Sequence, residues 1–211
     1  SAKNNAVATE HLERIGDELR KLLTDAYAVW RELDLALSQA GVDIQEYRHL
    51  TEAQRDALDA YFHDVVYPVL TPLAFDPGHP FPHISNLSLN LAVIVRDLSG
   101  ARKFARVKIP DTFPALVSSA GGSPAAATGP QTFVWLEQLI RANLQTLFPG
   151  LEILEAHPFR VTRDAEYEIQ ELESDDLLET IEQAVWQRRF RDVVQIQVLQ
   201  DIPRDLLEVL L

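Results

Sequence analysis

The sequence predicts an α+β fold: a long N-terminal helical hairpin, then a mixed β-sheet layered with helices, ending in a strand, helix, strand unit. Three observations predict it. Apolar residues recur at 3,4 spacing from Thr9 to about Ala40, alternate at period two from Leu87 to Val95, and switch between the two periods from Ile153 onward.

The first element is a long helix. Leu12, Ile15, Leu19, Leu22, Ala26, Val29, Leu33 and Ala36 keep a strict heptad spacing, and Leu23, Trp30 and Leu37 widen the stripe beyond a bare two-stranded seam. Gly41 is a stop signal. A second helix starts after Thr51, whose hydroxyl can cap while Gln54 reaches back. It presents Leu58, Tyr61, Phe62 and Val65 before Pro68 ends it. Residues 1–70 are thus expected to form the hairpin and 71–211 the α+β body.

From Tyr67 to Pro82 the prolines 68, 72, 77, 80 and 82 predict an extended connection without regular structure. Leu87 to Val95 reads as a strand, Ser99 and Gly100 as a turn, and Phe104 to Ile109 as its hairpin partner. Ser118 to Pro130 has neither charge nor aromatic residue and is expected to be a mobile surface loop without function. Val134 to Phe148 reads as one helix closed by Pro149 and Gly150, and Ile153 to Val161 as a strand. Ser174 is expected to cap a helix that buries Leu177, Leu178, Ile181, Val185 and Trp186, followed by a strand over Val193 to Leu199. Asp201 to Leu211 begins a last helix.

Composition bounds the function. The chain has 211 residues, a formal charge of −13, and neither cysteine nor methionine. Disulfides, thiolate metal sites and a cysteine nucleophile are excluded, and no apolar run reaches membrane-spanning length. The missing initiator methionine predicts processing or excision from a longer chain. The negative field disfavours polyanions such as free nucleic acid or polyphosphate as partners of the surface taken whole, while leaving room for locally basic walls, and the cytoplasm is the expected location.

No motif in the residues themselves carries chemistry. Of the histidines at 11, 49, 63, 79, 83 and 157, only His79 and His83 have ligand-like spacing, and Pro80 and Pro82 deny them a common helical face. The acidic run Glu166, Glu168, Glu171, Glu173, Asp175 and Asp176 reads as a solvated strand edge and helix N-terminus. There is no glycine-rich phosphate loop, GxSxG elbow or HExxH.

Three ordered segments carry a resemblance: VYPVLTPLAFDPGHPFPHISNLSLNL over 66–91, FRVTRDAEYEI over 159–169 with Thr162, Arg163, Asp164 and Ala165 at its centre, and QDIPRDLLEVLL over 200–211. Together the chain resembles the head domain of the polyphosphate kinase family, over nearly its whole length. The resemblance implies a parent enzyme that reversibly transfers the terminal phosphate of ATP, with Mg²⁺, to polyphosphate through a phosphohistidine. It implies that the phosphohistidine, its partner histidine and the phosphate-gripping arginines belong to later domains, and the nucleotide-contacting asparagine to an earlier one. No catalytic, cofactor or metal residue is then expected in this piece, which alone should be inactive.

Two roles follow from the resemblance. The stripe of Leu12, Ile15, Leu19, Leu22, Val29 and Leu33 is expected either at a subunit contact, giving a homodimer or higher assembly, or packed inside the domain. Arg106, Lys108, Arg160 and Arg163 are expected to face a channel for the anionic chain, with pairing of Arg163 to Asp164 or Glu166 as the other reading. Many relatives carry a basic residue near Gln200, and its absence here weakens a basic channel at that end. The remaining domains of the parent are expected partners, and peripheral membrane association of the parent stays open. A free-standing dimerisation or scaffold module is the alternative.

Overall fold

A computed structural model describes residues 2–75, 84–122, 130–164 and 192–210. Helix α1, Ala2–Gln39, is followed by the short strand β1, Val42–Ile44, a 3₁₀ turn over Tyr47–His49, and α2, Glu52–Tyr61. A π-type turn over Phe62–Val66 and a 3₁₀ turn over Tyr67–Val69 lead to β2, Pro72–Phe75. Strands β3, Leu89–Arg96, β4, Arg102–Lys108, β5, Leu116–Ser118, and β6, Gln131–Trp135, come next. Helices α3, Leu136–Ala142, and α4, Leu144–Leu147, precede β7, Glu152–Arg163, β8, Val193–Val198, and α5, Arg204–Leu210.

Five strands form an antiparallel sheet in the order β2-β4-β3-β7-β8. Its centre, β3, is buried on both faces, which is why its sequence is a nearly unbroken apolar run. Leu91, Val93 and Val95 point into a core shared with Leu58, Phe62 and Val66 beside α2 and with Leu136, Leu139 and Ile140 of α3. Ala92 and Ile94 point the other way, toward Phe104, Phe159, Val161 and Leu206 of α5. The expected β3–β4 hairpin is present. Its turn is closed by Asp97, whose carboxylate accepts the backbone N–H groups of Ser99 and Ala101, and by Gly100 at φ 84°.

A second sheet, β1-β6-β5, was not read from the sequence. β1 runs parallel to β6 and β5 antiparallel to it. The linker expected between α1 and α2 therefore contributes a strand, and α2 lies in the main core. The Thr51 capping box forms as expected, with Thr51 Oγ1 accepting from Gln54 N–H and Gln54 Oε1 accepting from Thr51 N–H.

Four other expectations change. The Tyr67–Pro82 connection contains β2, because Pro72 opens an edge strand and need not donate to a ladder. The helix expected from Val134 is a strand as far as Trp135, with the helix beginning at Leu136 and breaking at Asn143. Ser118 belongs to β5, and the strand expected from Leu87 starts at Leu89, after a turn in which Leu87 takes φ 58°. His79, His83, Ala165, the acidic run and the helix expected after Ser174 lie outside the described residues, as does most of the 118–130 loop.

Candidate functional surfaces

Among the described residues, α1 meets the body of the chain near its C-terminal end. None of its side chains described from Thr9 onward is buried, and Leu12, Ile15, Leu22 and Val29 are 63–68% exposed. Leu19 and Leu33, at 37% and 49%, are the least open of the stripe. The helix holds itself by its composition and by local ion pairs, Arg20 with Asp17 and Lys21 with Glu18 at 2.7 Å. Its attachment to the body is at the C-terminal end, where Trp30 tilts against Trp135 of β6 with ring centroids 5.9 Å apart. Exposed apolar stripes of this length are rare on soluble surfaces and mark contact sites.

The second surface is a cleft of ≈ 480 Å³ at one end of the large sheet. Its walls are the 85–89 turn, the end of β4, the residues after it, and the first turn of α3. Lys108 from β4 and Arg160 from β7 both reach it, in neighbouring rows of the ladder: Lys108 opposite Asn90, Arg160 opposite Leu89. Glu137 and Asp111 bring compensating negative charge. Burial pushes the Glu137 carboxyl up, while its own N–H and the nearby Arg160 charge pull it back down. Ser85, Asn86 and Ser88 add polar groups from the turn.

The other two sequence-predicted cations lie elsewhere. Arg106 is 8% exposed, in the row Arg106, Ala92, His157 that crosses the sheet on the α5 side. Burial lowers its guanidinium pKa. Arg163 acts as a strap: its Nε donates to the Ile84 carbonyl at 2.7 Å and its backbone N–H to Asn86 Oδ1 at 2.8 Å. Its pKa is lowered by burial and partly restored by Asp192. Arg163 thereby fixes the turn that forms one wall of the cleft. Lys108 and Arg160 are brought together; Arg106 and Arg163 are not among the residues lining the cleft. Glu137 was missed, although a carboxylate in the first turn of a predicted helix is a readable signal.

Among the described residues no group of three or more His, Asp or Glu could hold a metal ion, and no helix is long and apolar enough to cross a membrane. The sequence profile described as the polyphosphate kinase middle domain matches residues 53–211. The chain belongs to the polyphosphate kinase family. It is similar to the polyphosphate kinase of Mycobacterium ulcerans, 44% identical over 206 residues, covering 96% of this chain and 28% of that protein. That of Mycobacterium tuberculosis is 43% identical over 210 residues, again across 96% and 28%. Among solved structures, polyphosphate kinase from Porphyromonas gingivalis shares the fold with a TM-score of 0.71 at 18% identity, over 99% of this chain and 29% of that one. The chain thus spans under a third of the length of these relatives.

Proposed function

We propose that this chain is the non-catalytic head of a polyphosphate kinase and that its share of the work is assembly. The parent would transfer the terminal phosphate of ATP reversibly to polyphosphate, with Mg²⁺ and through a phosphohistidine, in domains other than this one. The observation that carries the assembly role is the uncovered stripe of α1: Leu12, Ile15, Leu22 and Val29 lose nothing by leaving the body and gain by meeting a partner. Sedimentation velocity tests it. Leu19→Glu should weaken self-association more than about a hundredfold by burying a carboxylate in the seam. An unchanged sedimentation coefficient would remove the role. ATP-dependent polyphosphate synthesis by the 211-residue chain alone would overturn the non-catalytic assignment.

A second reading, guidance of the anionic chain, is favoured by the convergence of Lys108 and Arg160 on one cleft. Asp111 and Glu137 limit it, because the cleft has as many carboxylates as cations. Its contacts are assigned to Lys108 and Arg160 rather than to Arg106 and Arg163.

A further inference from the structure

We infer that Glu137 is an internal anion that competes with phosphate for Lys108 and Arg160, so that the cleft at the end of the large sheet holds a polyanion more tightly as the medium becomes more acidic. This rests on the guidance reading given above and adds to it a regulation of the same site.

The geometry comes first. Four charges line the cleft: Lys108 from β4, Asp111 just after that strand, Glu137 from the first turn of α3, and Arg160 from β7. The two cations are not consumed by partners. Among the described residues neither makes an ion pair, whereas at the other end of β3 and β4 Arg96 is matched to Glu152, Arg102 to Asp205 and Lys103 to Asp97. Two unmatched cations converging on one cleft suit an anion that offers several oxygens.

The two carboxylates differ in weight. Asp111 is exposed, and its charge is screened by water and salt. Glu137 is half-buried, its carboxylate bends back toward its own backbone N–H, and its charge acts through a lower dielectric on Arg160. Arg141, one turn further along α3, is exposed and is not among the residues lining the cleft. The Tyr47–His49 turn meets α3 through Gln138, and Arg48 and His49 do not line the cleft either. The charged groups that face Glu137 there are therefore Lys108, Arg160 and Asp111.

The sign follows from linkage. Burial raises the Glu137 pKa above the ordinary glutamate value, and its own N–H and Arg160 return only part of the shift. A phosphate chain laid against Lys108 and Arg160 adds negative charge beside Glu137 and raises that pKa further. Binding then takes up a proton, and a ligand that binds with proton uptake binds more tightly as pH falls. With Glu137 charged, the cleft carries as many carboxylates as cations; with Glu137 neutral, it carries a surplus positive charge.

The test is equilibrium binding of fluorescently labelled long-chain polyphosphate at low ionic strength, from pH 7.5 to 5.5. The 211-residue chain is compared with Glu137→Gln, which keeps the side-chain shape, and with Asp111→Asn. Histidine protonation elsewhere tightens binding of all three alike, so the readout is the ratio of variant to unmodified affinity. Glu137→Gln should bind about fivefold more tightly at pH 7.5, and the gap should narrow to below about threefold by pH 5.5. Asp111→Asn should gain less than about twofold at either pH. A Glu137→Gln ratio near one at pH 7.5, a ratio that stays constant down to pH 5.5, or equal gains from the two variants would overturn the inference. No binding of polyphosphate by any of the three chains at any pH would refute the guidance reading itself, a failure distinct from a wrong role for Glu137.

Discussion

Replacing Leu206 by alanine should destabilise the domain far more than removing the ion pair beside it. Leu206 is 1% exposed and fills the second face of the large sheet with Ile94, Phe104, Phe159 and Val161. Asp205, one residue earlier, is exposed and reaches Arg102 at 3.2 Å. A fully buried Leu→Ala change costs about 2–5 kcal/mol through lost transfer energy and the cavity left behind. An exposed ion pair is worth about 0–1 kcal/mol, and the role of Asp205 in the first turn of α5 adds only tenths. For a domain of this size each kcal/mol moves Tm by about 2–4 °C. Leu206→Ala should therefore lower Tm by about 5–15 °C and Asp205→Ala by no more than about 4 °C. Thermal unfolding followed by circular dichroism gives both numbers, and amide exchange over 204–210 shows whether α5 detaches before the rest. Equal losses from the two variants, or a Leu206→Ala protein with unchanged Tm and unchanged exchange, would refute the view that α5 is docked by apolar burial.

Three further outcomes are expected. The Tyr47 hydroxyl donates to Asp59 Oδ1 at 2.5 Å, and burial first, then Asp59, holds its pKa above the ordinary tyrosine value. The folded state thus keeps that proton when the unfolded chain has lost it, so its stabilisation is present below about pH 10 and lost above, and Tyr47→Phe should flatten the fall in stability between about pH 9 and 11 in urea titrations. Gly122 has φ 85° and an added Cβ would lie 2.2 Å from the Tyr61 ring, so Gly122→Ala should cost about 2 kcal/mol or more in the same titrations, whereas Gly100→Ala, with open space around it, should cost less. Lys108→Ala and Arg160→Ala should each weaken retention of the chain on immobilised polyphosphate by roughly tenfold at low salt if the cleft guides phosphate, and unchanged retention would discard that reading.

Much of the fold was legible because its signals are local. The heptad spacing from Leu12 to Ala36, the Thr51 and Gln54 box, the turn at Asp97 to Gly100 and the strand from Ile153 each depend on neighbouring residues. The small sheet was not legible, because β1 is a strand only through pairing with β6, far along the chain. Val134 also falls in helical step with Leu136, Leu139 and Ile140, so the boundary at Trp135 is set by the ladder to β5 and not by apolar spacing. At the cleft, the charges of Lys108 and Arg160 could be named from the sequence, but that both reach one site follows from the order β4-β3-β7. The burial of Arg106 is a consequence of the same order, since a second layer with Leu206 covers its face.

The most direct test of the exposed seam of α1 as a subunit contact is the molar mass of the 211-residue chain by light scattering over a concentration series, beside Val29→Glu. Self-association through the seam predicts twice the chain mass of 23.8 kDa for the unmodified protein and a return to one chain mass for the variant. A single-chain mass at every concentration, or a dimer indifferent to Val29→Glu, would contradict it.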